Sequence, residues 1–177
     1  MNLSDFSFVK LDDNLPIASF DCGDDDLNDF LHHDALPYEK QLLAVTYAFL
    51  DKEKKIVAFF SVSNDSLIDK GYAGWNRLNR KIKNQKRRRD YPAVKIGRLG
   101  VSKDFAGHSL GTQMLDFVKG WFAIANKTGC RFALVDAYNR KEVLHFYEKN
   151  DFTFLTEKDE NAKTRLMFFD LIKITEP

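Results

Sequence analysis

Between Val94 and Thr112 the chain passes from an apolar strand (Val94, Ile96, Leu99, Val101) through a short turn into Phe105-Ala106-Gly107-His108-Ser109-Leu110-Gly111, which opens a long amphipathic helix. Small residues at 106, 107, 109 and 111 let a ligand come close to the backbone. The first turn of the helix carries N–H groups without intrahelical partners, an arrangement that suits a phosphate or pyrophosphate. On these residues alone, a tight strand-to-helix connection is an equal alternative.

A second feature is charge. Arg77, Arg80, Lys81, Lys83, Lys86, Arg87, Arg88 and Arg89 stand against Asp90 alone, a local +7 in a chain of formal net charge +1. The remaining residues therefore sum to −6, and Met1 to Glu39 holds ten acids against Lys10. Such a basic run is either a solvated helix face or a cradle for a polyanion, because Lys and Arg that neutralise phosphates drive nucleic-acid binding. Asp24, Asp25 and Asp26 read as a helix start, where carboxylates complement the positive end of the dipole, in preference to a metal site. His32 and His33 are adjacent and point apart on a helix. Cys22 and Cys130 lack a second cysteine pair, so no metal is expected and both thiols are read as free.

The elements that must carry these groups fit one domain over residues 1–177, since no linker or repeat divides the chain. Apolar residues make up 44%, including 16 Phe, which excludes disorder. No apolar run approaches the ~20 residues of a membrane span and the N-terminus lacks a secretory pattern, so a cytoplasmic protein without membrane contact is expected. A strand is predicted over 6–11, a helix from 24 to 33 or 38, and a hairpin of 44–51 with 55–63. A polar segment, 64–91, is helical in its middle and ended by Pro92, and the central strand follows over 93–101. Leu110, Met114, Val118, Trp121, Phe122 and Ala125 form a core-facing helical stripe closed by Gly129. A buried strand at 131–136, a helix at 141–150 and a strand pair of 152–156 with 165–172 complete an α/β (α+β) chain, a mixed sheet covered by helices.

The order of Phe105-Ala106-Gly107-His108-Ser109-Leu110-Gly111, followed by Phe146-Tyr147-Glu148-Lys149-Asn150-Asp151-Phe152, resembles the acetyl-coenzyme A motif and C-terminal signature of the GNAT acetyltransferase superfamily. Phe20-Asp21-Cys22-Gly23, Leu27-Asn28-Asp29-Phe30-Leu31 and Thr46-Tyr47 look like the opening of the branch that includes acetyltransferase toxins of toxin–antitoxin pairs. The resemblance runs from about Phe6 to Phe169. It implies the GNAT acyltransferase fold, with splayed central strands and flanking helices, and acetyl-coenzyme A as acyl donor. The pantetheine arm would pair with the main chain of Leu99, Gly100 and Val101, and the pyrophosphate would sit on Ala106, Gly107, His108, Ser109, Leu110, Gly111 and Thr112. Asn139 would contact the coenzyme arm, and Tyr147 would be the catalytic donor of a hydrogen bond to the departing sulfur.

Two positions depart from the pattern: Ala106, where the family usually has Gln or Arg, and Ser109, where it usually has Gly. Ser109 keeps its amide accessible unless φ > 0 is required there, where a side chain is costly, and weakened coenzyme binding is expected. The resemblance to the toxin branch implies an N-acetyltransferase acting on the α-amine of aminoacyl-tRNA. Arg77, Arg80, Lys81, Arg87, Arg88 and Arg89 would then face the tRNA, and an antitoxin protein and a second copy of the chain would be further partners. No general base stands out, but an α-amine of pKa near ~8 needs little help at pH 7. Two alternatives stay open: transfer to a small amine or a protein N-terminus, and a catalytically silent protein that binds coenzyme A or nucleic acid.

Overall fold

Alternation of side chains along the early strands sends alternate residues to two different cores. The computed structural model describes residues 1–72, 74–83, 88–124, 126 and 128–175, so Ala125, Lys86 and Arg87 of the expectations above lie outside the described residues. In chain order its strands are β1 (Ser7–Lys10), β2 (Val45–Leu50), β3 (Ile56–Ile68), β4 (Asp90–Val101), β5 (Phe132–Tyr138), β6 (Thr153–Phe154) and β7 (Thr164–Asp170). The helices are α1 (Asp25–Asp29), α2 (Ala35–Lys40), α3 (Trp75–Lys81), α4 (Leu110–Ala123), α5 (Lys141–Lys149) and α6 (Ile172–Thr175), with one π-helical turn, Phe30–Asp34, between α1 and α2. Contacts divide the chain into two units, Met1–Ser63 with Ile96–Val118 and Asn64–Lys95 with Lys119–Pro177.

In the first unit the strand order is β1-β2-β3-β4. Antiparallel register places Phe8 against Phe49 and Tyr47 against Phe60. These four rings pack with Phe117 of α4, for example Phe8 to Phe117 at 4.8 Å and Phe49 to Phe117 at 5.3 Å between centroids. The alternate residues Ala48 and Leu50 join Phe59 in a second cluster with Phe20, Phe30 and Leu31. Each such aromatic pair adds about 0.5–1.5 kcal/mol beyond its buried area. Asp24 caps α1, its carboxylate accepting from the Leu27 N–H at 3.2 Å, which gives the acidic cluster the helix-start role expected of it.

In the second unit the order is β3-β4-β5-β7-β6. β5 runs parallel to β4 over Ala93–Lys95 against Phe132–Leu134, and antiparallel to β7 along its whole length. Among the described residues the parallel register stops at Lys95 although β4 continues to Val101. Trp75 and Leu78 of α3 are buried with Leu67, Tyr91, Phe132 and Leu134. Among the described residues the seven strands form one mixed sheet, parallel where β5 meets β4 and antiparallel at β1-β2, β2-β3, β5-β7 and β6-β7, and with the helices they make the mixed α/β fold that the sequence predicts.

Several boundaries differ. β6 covers only Thr153–Phe154, and β7 ends at Asp170, with α6 taking Ile172–Thr175 where the final strand was expected to run to 172. β3 runs on to Ile68, five residues into the segment expected to be polar and non-strand, because Leu67 is fully buried and anchors it. β4 begins at Asp90, so Pro92 lies inside the strand it was expected to precede. Its carbonyl accepts from the Arg131 N–H at 2.8 Å, so the residue still pairs within the sheet. The α4 stripe also outlasts its core: Leu110, Met114 and Val118 are buried, whereas Trp121 is 40% exposed.

Candidate active site

β4 ends at Val101 and is held there by the Ser102 N–H, which donates to the Val57 carbonyl at 2.8 Å. A single 3₁₀ turn, Lys103–Phe105, follows, and its hydrogen bonds use the amides of Phe105 (to Ser102, 3.0 Å) and Ala106 (to Lys103, 3.1 Å). The turn is tied down by the Lys103 ammonium on Asp21 at 2.8 Å and by the Lys103 N–H on the Asp21 carbonyl at 2.9 Å. That ammonium, with the Asn28 amide and the Gly23 N–H, holds the Asp21 carboxyl down to about 2.

Beyond Ala106 the chain turns sharply. Gly107 takes φ 82° and Ser109 takes φ 56°. The first main-chain bond of α4 is Gln113 N–H to the Ser109 carbonyl at 3.1 Å. The amides of Gly107 to Thr112 donate to no partner among the described residues. Six N–H groups in and just before the first turn of α4 are thus available, a donor set suited to a diphosphate. A Cβ on Gly107 would meet nothing within 4 Å, so its surface is open, whereas one on Gly100 would lie 2.7 Å from the Phe59 ring. Gln113 fixes the turn from behind, donating to the His108 carbonyl at 3.2 Å and accepting from the Leu3 N–H at 2.7 Å. Ser109 therefore has the positive φ that makes its side chain costly. Ala106 differs from its neighbours, its amide already being bonded within the turn.

In the second unit Tyr147 stands in the last turn of α5. Its ring packs between Phe146, at 5.2 Å, and Phe152, at 5.5 Å. Burial pushes its phenol up to about 12, and the hydroxyl has no hydrogen-bond partner among the described residues. The Tyr147 carbonyl accepts from the N–H groups of Asn150 (3.1 Å) and Phe152 (3.0 Å). Asn139, just past β5, directs its amide nitrogen to the carbonyls of Glu160 (2.7 Å) and Ala162 (2.9 Å), which secures the approach to β7.

The basic run begins on α3, whose buried Trp75 and Leu78 leave Arg77, Arg80 and Lys81 exposed; Arg88 and Arg89 are exposed as well. Among the described residues no group of three or more His, Cys, Asp or Glu is arranged to hold a metal, and no helix is long and apolar enough to cross a membrane. His32 Nε2 lies 2.9 Å from the Phe20 carbonyl, and His33 Nδ1 2.9 Å from Asp29. Cys22 and Cys130 are free thiols, both pushed up by burial.

Sequence reasoning missed two polar groups. Lys119 is buried in α4, and the only signal is its position four residues after the buried Leu115. Lys95 of β4 pairs with Asp136 of β5 and lies 3.9 Å from Asp65 of β3; the three come from separate strands, and nothing local in the sequence links them.

The strand, the donor turn and the helix that follows it are those of an acyltransferase. The acetyltransferase (GNAT) family profile matches residues 18–152, and the chain belongs to that family. Among solved structures the chain is similar to the toxin AtaT complexed with acetyl-methionyl-tRNAfMet, with 19% identity, TM-score 0.80, and coverage of 97% of this chain and 98% of that one. It is also similar to a tyrosine-to-phenylalanine mutant of AtaT bound to the C-terminus of the antitoxin AtaR and acetyl-CoA (18% identity, TM-score 0.75, 96% of each chain). A third likeness is to the KacTA–DNA complex (22% identity, TM-score 0.68, 96% of each chain).

Proposed function

We propose that this GNAT acetyltransferase moves the acetyl group of acetyl-CoA to the α-amine of aminoacyl-tRNA. The observation that carries the reading is the run of unpartnered amides from Gly107 to Thr112. They offer a diphosphate six main-chain donors at the positive end of a helix, without requiring particular side chains. The pantetheine arm pairs with β4. The Ser102 N–H points to β3, so by two-residue alternation Leu99 and Val101 turn their main-chain groups to the other edge.

In the transfer step the lone pair of the neutral amine attacks the thioester carbonyl carbon. The C–N bond forms, the C–S bond breaks, and the proton released from nitrogen goes to solvent. The sulfur leaves as a thiolate, to which the Tyr147 hydroxyl donates a hydrogen bond. With the phenol at about 12 and a thiol near ~8.5, complete proton transfer to sulfur is uphill by roughly 5 kcal/mol. Tyr147 therefore acts as a neutral donor.

Three observations support tRNA as acceptor: the exposed cations of α3, the exposed Arg88 and Arg89, and the likeness to AtaT solved with an acetylated aminoacyl-tRNA. The likeness to AtaT bound to AtaR supports a protein antitoxin as a further partner. The test is transfer of labelled acetyl from acetyl-CoA to a pool of aminoacyl-tRNAs, with deacylated tRNA and small amines alongside. Label is expected on charged tRNA and absent from deacylated tRNA. Label on small amines alone overturns the tRNA assignment, and label on none of them favours a silent binder.

A further inference from the structure

Lys119 of α4 is only 3% exposed. Its ammonium donates to the main-chain carbonyl of Asn150 at 2.9 Å and lies over two aromatic rings, 4.6 Å from the centroid of Phe169 and 5.7 Å from that of Phe152. Removing a charged amine from water is costly, and a methionine or leucine would fill the same space without that cost. What the ammonium gains is a carbonyl at the negative end of a helix and two ring faces, each of which attracts a cation.

The groups it grips are those that set the position of Tyr147. Asn150 is the C-cap of α5 and is 4% exposed. Its N–H donates to the Tyr147 carbonyl and its side-chain amide to the Phe146 carbonyl at 2.7 Å. Asp151 then reverses the chain at φ 63°, and the Phe152 N–H returns to the Tyr147 carbonyl. The Phe152 ring beneath the ammonium is also the ring packed against Tyr147. One cation thus holds both the end of the tyrosine's helix and the ring that supports its side chain.

We propose that Lys119 is a positioning residue for Tyr147, fixing the phenol through the Asn150 carbonyl and the Phe152 ring. The inference rests on the reading of Tyr147 as donor to the leaving sulfur. It is tested in the full chain by comparing Lys119→Met, which keeps the length and removes the charge, with Lys119→Arg, which keeps the charge and the donors. Lys119→Met is expected to lower kcat about tenfold or more while KM for acetyl-CoA stays within about twofold, with Lys119→Arg recovering most of the rate. Amide hydrogen exchange at Asn150 and Phe152 is expected to accelerate in Lys119→Met, with exchange elsewhere unchanged. A Lys119→Met enzyme whose kcat is within about twofold of the wild type overturns the proposal. So does acceleration spread over the whole chain, which marks a purely structural lysine. If the wild type transfers no acetyl group, the failure belongs to the functional reading, and the exchange comparison still decides the positioning: acceleration confined to 150–152 supports it and unchanged exchange overturns it.

Discussion

Tyr147 and Ser109 carry opposite messages about their surroundings. Burial holds the Tyr147 phenol at about 12, so it remains a protonated donor through the whole range in which an α-amine of pKa near ~8 becomes a nucleophile. The rate should rise with pH and level off above the amine pKa, with no decline from Tyr147 until the phenol itself ionises; a fall between pH ~8 and ~10 would contradict this. In the proposed mechanism, replacing Tyr147 by Phe removes one donor to the leaving group. It should lower kcat about 10²-fold with acetyl-CoA affinity retained, as measured by single-turnover transfer and by titration. Ser109 holds φ 56°, where a side chain costs about 1 kcal/mol. Ser109→Gly should therefore raise the melting temperature by a few degrees and tighten coenzyme binding. The donor turn was legible from sequence because small residues and a helix start are local features. The role of Lys119 was not, since its partners come from the end of α5 and from β7.

At the scale of elements, the proposed site rests on β4 and the turn that follows it. Gly100 lies so close to the Phe59 ring that a Cβ would approach to 2.7 Å. Gly100→Ala should cost about 1–3 kcal/mol in thermal or denaturant unfolding, far more than an alanine elsewhere on the strand. The Lys103 link to Asp21 ties the turn to the segment before α1. Because the folded carboxyl is depressed to about 2, its contribution is fully present above the ordinary carboxylate pKa of ~4 and is lost as pH falls toward 2. Asp21→Asn should abolish that part of the acid unfolding limb, whereas an unchanged limb would show that the pair adds nothing. The positions of α1 to α5 and of most strands were readable from periodicity and caps, whereas α6 was not, since Ile172 read as the end of the last strand. The continuation of β3 past Ser63 was not, because Asn64, Asp65 and Ser66 look like loop and only the fully buried Leu67 shows otherwise. Pro92 was misread for a related reason: a proline breaks a strand only where its N–H is needed.

For the whole molecule the decisive quantities are charge and the donor site. The fold class followed from the order of elements, but the division of contacts into two units, with β3 and β4 contributing to both, has no marker in composition or linker. If the basic run meets tRNA phosphates, apparent affinity for aminoacyl-tRNA should fall at least about tenfold between ~50 and ~200 mM salt, while KM for acetyl-CoA changes much less. A salt-independent KM for the acceptor would reduce the run to a solvated face. The proposed chemistry requires main-chain donors that grip a diphosphate. The most direct measurement is therefore a backbone amide NMR titration with acetyl-CoA. Saturable shifts of the Gly107 to Thr112 resonances are expected, larger than those elsewhere and reproduced by the nucleotide portion of the coenzyme alone. Resonances of this turn that stay in place while acetyl-CoA binds, or that show no binding at all, would contradict the proposed chemistry.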